Sequence, residues 1–193
     1  MMHTFRSWQV RLVAVLSVSA ALAACDANVT RVSDRANSAV VAARAVSSRD
    51  VDLGSCSNLA VPAGEKISAH LYADGTQNYM WMGTTWYFVG PTADLYANAG
   101  GDGKLGIHYA GPTWVSVSGS GVVGRVVDTC TPDAGAIPWL LLSAVSSRGP
   151  GIFEGTTYIQ RVRTLGGLAP TAPGTVYGDM TRVPYRAEYV FYR

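Results

Sequence analysis

Beyond residue 56 the chain alternates apolar and polar positions with a period of two rather than 3.6. Residues 66–73 set Ile67, Ala69 and Leu71 against Ser68, His70 and Tyr72, the pattern of a half-buried strand. Ala73-Asp74-Gly75-Thr76 reads as a turn, because Asp-Gly tolerates positive φ. Short aromatic strands are expected at 77–82 and 85–89 around Gly83, and a further one at 93–97 after Gly90-Pro91. Gly106-Ile107-His108-Tyr109-Ala110-Gly111-Pro112-Thr113-Trp114 then reads as a shaped turn leading into a buried strand, with an imidazole at its edge. Strands follow at 114–118 and 122–128, with Gly119-Ser120-Gly121 turning the chain between them. The most apolar run, Ile137-Pro138-Trp139-Leu140-Leu141-Leu142, suits a strand buried on both faces, or a short helix. At 156–164, Tyr158, Gln160 and Val162 alternate with Thr157, Ile159, Arg161 and Arg163. The chain closes with Tyr185, Ala187, Tyr189 and Phe191 on one side and Arg186, Glu188, Val190 and Tyr192 on the other. About ten short strands with regular turn signals predict an all-β fold, an antiparallel sandwich or barrel.

The N-terminus has a different grammar. Arg6 and Arg11 precede an apolar run at 12–22 and then small residues, the three parts of a secretory signal. The run falls short of the roughly 20 apolar residues of a membrane-spanning helix. Leu22-Ala23-Ala24-Cys25 resembles the bacterial lipobox, in which cleavage leaves the cysteine N-terminal and lipid-modified. On that reading residues 1–24 are a lipoprotein signal peptide, and acyl chains on Cys25 hold the protein to the bilayer on the extracytoplasmic side of a bacterial envelope. The alternative is an ordinary signal peptide with an incidental cysteine and a secreted product. Residues 25–55 carry no aromatic side chain and read as a flexible tether, leaving 56–193 as a single β domain.

Composition narrows the functional classes. The chain is 48% hydrophobic and 15% charged, a globular balance. Taking Arg6 and Arg11 from the 15 basic residues leaves 13 against 13 acidic ones, with no cluster of Lys or Arg. Nucleic acid is therefore not an expected partner. Of the three cysteines, Cys56 and Cys130 remain after lipidation, an even pair that an exported compartment lets bridge, or two separate thiols. Neither has a Cys-x-x-Cys partner, so no metal and no cofactor is expected. The Gly100-Gly101-Asp102-Gly103-Lys104 cluster lacks the Ser or Thr of a phosphate-binding loop and reads as a hairpin turn.

Candidate chemistry is sparse. His108 and His70 are the histidines left after processing, too few for a zinc or copper site. As a general base His108 would need a nucleophile, with Ser116, Ser118 and Ser120 nearby in sequence, and an orienting acid such as Asp94 or Asp102. Arg161, in a strand among apolar neighbours, would either grip a carboxylate or phosphate or pair with Glu188 or Glu154. Trp81, Trp86, Trp114 and Trp139 would line a pocket or pack a core. The ligand-binding candidates are His108, Tyr109, Trp114, Trp139 and Arg161.

Several motifs stand in a fixed order: Tyr79…Trp86, His108-Tyr109-Ala110-Gly111-Pro112-Thr113-Trp114, Gly119-Ser120-Gly121-Val122-Val123-Gly124 and Ala136-Ile137-Pro138-Trp139-Leu140-Leu141-Leu142. Thr157-Tyr158-Ile159-Gln160-Arg161-Val162, Thr164-Leu165-Gly166-Gly167 and Val183-Pro184-Tyr185-Arg186-Ala187-Glu188-Tyr189-Val190-Phe191-Tyr192 complete the set. Over roughly residues 56–193 this order resembles the domain of unknown function 3455 family of exported bacterial and fungal proteins. The resemblance implies no activity. Some fungal relatives carry a malate dehydrogenase label, but this chain has no Gly-x-Gly-x-x-Gly opening a helix and no βαβ alternation. After Gly167-Leu168-Ala169-Pro170 the family pattern leads to a cysteine and an aspartate, where this chain has Thr171-Ala172-Pro173-Gly174-Thr175, so family cysteine chemistry there does not carry over. The leading expectation is a membrane-anchored module that binds a small ligand near His108–Trp114. The alternatives are a hydrolase using His108 as acid/base and a structural envelope protein. The sequence assigns no oligomeric state.

Overall fold

The computed structural model describes residues 51–193. The expected signal peptide, Cys25 and most of the tether lie outside the described residues. A single turn of 3-10 helix at Ser57–Leu59 precedes eight strands. These are β1 (Ile67–Trp81), β2 (Trp86–Tyr96), β3 (Lys104–Tyr109), β4 (Thr113–Ser116), β5 (Gly121–Cys130), β6 (Trp139–Arg148), β7 (Tyr158–Gly166) and β8 (Met180–Tyr192). Each strand pairs antiparallel with its sequence neighbours, and β8 returns to β1, closing an up-and-down barrel. Closure leaves no unpaired sheet edge.

The alternation read from the sequence becomes inside and outside. Ala69, Leu71 and Ala73 of β1 point inward, as do Ala93 and Leu95 of β2 and Trp114 of β4. Val122 of β5, Leu142 of β6, Ile159 of β7 and Tyr185, Ala187, Tyr189 and Phe191 of β8 complete that core. Arg161 stands opposite Tyr189, and His108 opposite both Ala93 and Trp114, so the register turns both polar side chains inward as well.

The described residues form eight strands rather than about ten, most of them longer than expected. Asp74-Gly75, expected to turn the chain, runs through the middle of β1, and Gly90-Pro91 likewise lies inside β2. Gly75 serves close approach rather than reversal: a Cβ there would sit 2.2 Å from the Thr92 carbonyl oxygen and 2.6 Å from the Ala93 Cβ. Residues 106–114 are a hairpin joining β3 to β4 rather than one turn entering one strand. The apolar run around Leu140 is a strand, not a helix, and it is buried on both faces as its length suggests. Leu140 and Leu142 face the interior, while Trp139 and Leu141 are covered from outside by the segment before β1.

That segment also explains why Val190 and Tyr192 are buried on the outer side of β8. Leu53, Leu59 and Val61 pack over Leu141, Tyr158, Val162, Val190 and Tyr192. The Gln160 amide donates to the Leu59 carbonyl at 2.7 Å, and the Tyr192 hydroxyl donates to Gln160 Oε1 at 2.6 Å. A Cys56–Cys130 disulfide fastens the segment to the end of β5.

Both ends of the barrel are covered. At one, the loop after β6 inserts Phe153 against Phe191, ring centroids 4.7 Å apart. At the other, Ile137 and Gly167 close over Tyr185 and Gln77. Gly167 adopts φ +80°, and a Cβ there would meet Tyr185, Gln77 and Ile137 at about 3 Å, so only glycine fits. The Tyr79 hydroxyl donates to the Gly167 carbonyl at 2.6 Å and pins that loop.

Candidate functional site

His108 is a core residue. Its ring stacks on Trp114 with centroids 4.4 Å apart and planes 10° from parallel, and Tyr189 meets it edge-on at 5.0 Å. Nδ1 lies 2.9 Å from the Thr113 carbonyl oxygen. A carbonyl only accepts, so Nδ1 carries the proton and the neutral ring leaves Nε2 as an acceptor. Burial removes the hydration a charged imidazolium needs and pulls the pKa down to about 3; the Thr113 carbonyl opposes that shift and the Arg161 charge adds to it.

Among the described residues, neither a hydroxyl nor a carboxylate hydrogen-bonds the His108 ring. Ser116, Ser118 and Ser120 bond one another, each at 2.8 Å from Ser116, near the Phe153 end. Asp94 pairs with Lys104, and Asp102 lies in an exposed loop. None of these sequence neighbours hydrogen-bonds His108.

The remaining candidates divide between the two sides of the wall. Trp114 lies inside with His108. Tyr109, the next residue along β3, points outward and is exposed, as strand alternation requires. Trp139 packs outside the barrel beneath the N-terminal segment. Trp81 and Trp86 pack together at 5.3 Å near the protruding end of the β1–β2 hairpin, where Trp86 Nε1 donates to the Ala172 carbonyl. Thus His108, Trp114 and Arg161 come together, and Tyr109 and Trp139 do not join them.

Arg161 gathers an unexpected set. Neither Glu188 nor Glu154 pairs with it: Glu188 binds His70 at 2.7 Å and Arg163 at 2.8 Å on the outer wall. Arg161 instead donates from Nε and Nη2 to the Pro138 carbonyl, at 3.1 and 2.8 Å. The Tyr189 hydroxyl lies close enough to Arg161 and to Tyr185 for each to influence its protonation. Burial, the first cause, raises the pKa of both tyrosines, so both stay protonated donors. Gln77 joins them beneath Gly167. Among the described residues Gln77 Nε2, Trp114 Nε1 and the hydroxyls of Tyr185 and Tyr189 are buried with no hydrogen bond of ordinary geometry. Each such group costs about 1–3 kcal/mol of lost hydration. Gln77, Tyr185 and Tyr189 stand with Arg161 toward the Ile137–Gly167 end, a polar grouping in the interior that packing does not explain. Sequence reasoning marked Arg161 but missed the tyrosine hydroxyls, which read as ordinary core aromatics.

A separate concavity of about 230 Å³ lies outside, against β1 and β8, lined among others by Tyr72, Tyr96, Arg163, Arg186 and Glu188. Its charges are already paired, Arg186 with Asp74 and Arg163 with Glu188. Arg163 sits in the bulge between Val162 and Leu165 with φ +48°, the one described non-glycine residue in the left-handed region. Arg163→Gly relieves that conformation and Arg163→Ala does not, although both lose the ion pair. We therefore expect the glycine variant to be more stable than the alanine variant by roughly 1 kcal/mol, read from urea midpoints. Equal midpoints would show that the bulge carries no strain.

Residues 62–193 match the family described as protein of unknown function (DUF3455). The chain belongs to that family. The match covers all eight strands and begins after Cys56, so the disulfide ties the family domain to the segment that precedes it. The Thr171–Thr175 departure falls in the long loop between β7 and β8, whose Ala172 carbonyl receives the Trp86 indole. No curated protein and no solved structure matches the chain. Among the described residues no group of three or more His, Cys, Asp or Glu side chains is placed to hold a metal ion.

Proposed function

We propose that this protein is a binding module of the bacterial envelope, tethered to the membrane through lipid on Cys25, whose barrel takes a small ligand at its Ile137–Gly167 end. The observation that carries the reading is the inward-facing Arg161, which among the described residues has no carboxylate partner and stands beside a donor-rich set of buried side chains. An eight-stranded barrel has an interior of the size that side chains fill or that one small ligand occupies. A purely structural role leaves the grouped donors without a purpose. A hydrolase role finds no nucleophile hydrogen-bonded to His108 among the described residues. The Leu22-Ala23-Ala24-Cys25 motif and the apolar run before it support the address.

Two measurements test the parts separately. A thermal-shift screen of the full mature chain in non-ionic detergent should find small molecules that stabilise the wild type and fail to stabilise Arg161→Gln. If no compound stabilises the wild type, the binding reading fails. For the address, Cys25→Ala should move the protein from the membrane fraction to the soluble one; a variant that stays membrane-bound refutes lipidation as the anchor.

A further inference from the structure

We infer that the ligand of the barrel interior is a compact carboxylate, received by Arg161 together with Tyr185, Tyr189 and Gln77. This rests on the binding reading above and adds the chemical class. The decisive point is the chemistry of what is missing. A Gln Nε2 only donates, and a protonated phenol donates its one hydrogen. Gln77 Nε2 and Trp114 Nε1 have no partner, and the Tyr185 and Tyr189 hydroxyls have only each other and Arg161 within reach, so the set as a whole holds more donors than acceptors.

The charge points the same way. Arg161 spends Nε and one Nη2 proton on the Pro138 carbonyl and reaches the Tyr189 hydroxyl as well, which leaves part of its outer Nη1/Nη2 fork for a carboxylate. The carboxylates lining the exterior concavity are committed to Arg163, His70 and Arg186 on the outer wall. A cation would meet the like charge of Arg161 and, among the described residues, no carboxylate to offset it. A neutral amide would satisfy fewer donors and leave the guanidinium unneutralised.

Size follows from the walls. Trp114 and Tyr189 pack edge to face at 5.3 Å below the cluster, and Ile137 and Gly167 close above it. Walls this close admit at most a compact group. Arg161 is only partly buried, so part of its side chain meets solvent despite the cover of Ile137 and Gly167.

The test uses the full mature chain in non-ionic detergent, with acetate and benzoate as probes and acetamide and benzamide as their uncharged counterparts. Affinity is measured by calorimetry at constant ionic strength. We expect at least one acid to bind roughly tenfold or more tightly than its amide. Arg161→Gln should lose that preference. Because this variant also gives up the Pro138 bonds, Tyr185→Phe and Tyr189→Phe serve as the second arm. Each removes a hydroxyl whose partners are only the other tyrosine and, for Tyr189, Arg161, with no hydrogen bond of ordinary geometry, so each should change the melting temperature little while weakening acid binding about three- to tenfold. Amides that bind as well as acids would overturn the carboxylate class and leave the binding reading standing. Acid binding untouched by all three variants would place the site elsewhere and overturn the assignment. No binding by any probe, with no hit in the wider screen, would overturn both.

Discussion

Loss of the Cys56–Cys130 bridge will lower the stability of the barrel by about 4 kcal/mol. The bonded residues are 74 apart in sequence, so in the unfolded chain the bridge closes a long loop. The entropy removed from the unfolded ensemble grows with the logarithm of that length and reaches about 4 kcal/mol for a loop of this size. The folded state suffers too. Without the bridge, the segment holding Leu53, Leu59 and Val61 is kept on the outer wall only by its apolar contacts and by the Gln160 bond to Leu59. Its departure would expose Leu141, Val162 and Val190 to water. The paired variant Cys56→Ala with Cys130→Ala, and the wild type under reductant, should both unfold at lower urea. Both should also be cut by protease within residues 51–66 before global unfolding. A loss below about 1 kcal/mol would mean that the wall contacts hold the segment unaided.

How much of this was legible beforehand depended on the range of each cause. The two faces of β8 could be read directly, because Tyr185, Ala187, Tyr189 and Phe191 follow the pleat. That its other face is also buried could not, since the cover comes from Leu53 and Leu59, far away in sequence. Asp74-Gly75 has the composition of a hairpin turn, and what makes it strand is the approach of Ala93 from β2, a tertiary fact. The placement of Tyr109 opposite to His108 was available from alternation alone. Trp139 carries the same parity outward once Leu140 and Leu142 are known to face in. Arg161 stood out as a charge among apolar neighbours, but its company did not. Tyr185, Tyr189 and Gln77 reach it only through the β7–β8 register and the closure of β8 on β1. The left-handed Arg163 left no mark in the sequence, where an arginine in a bulge looks like any other.

Acid will unfold the protein largely through His108, with stability falling by about 3 kcal/mol between pH 7 and pH 4 from this one group. The folded pKa is about 3 against 6.5 for the free side chain, so between those values the unfolded chain binds a proton that the folded chain refuses. Stability from this group is therefore complete above pH 6.5 and is drained progressively as pH falls through the window towards 3. Glu188 adds to the same trend, because its partners His70 and Arg163 hold its pKa down against the opposing effect of burial, which is the largest single influence on it. The substitution His108→Asn separates the two contributions. It keeps an N–H placed to reach the Thr113 carbonyl, removes the titrating ring and gives up the stack on Trp114. At pH 7 the variant should be the weaker protein. Towards pH 4 its stability should fall far less than that of the wild type, so that the two urea midpoints converge or cross. Imidazole resonances should agree, with the His108 ring holding its neutral, Nδ1-protonated form from pH 8 down to pH 4.5. Midpoints that fall in parallel for the two proteins, or a ring that titrates near 6.5, would show that water or a counter-charge reaches His108 in the folded barrel.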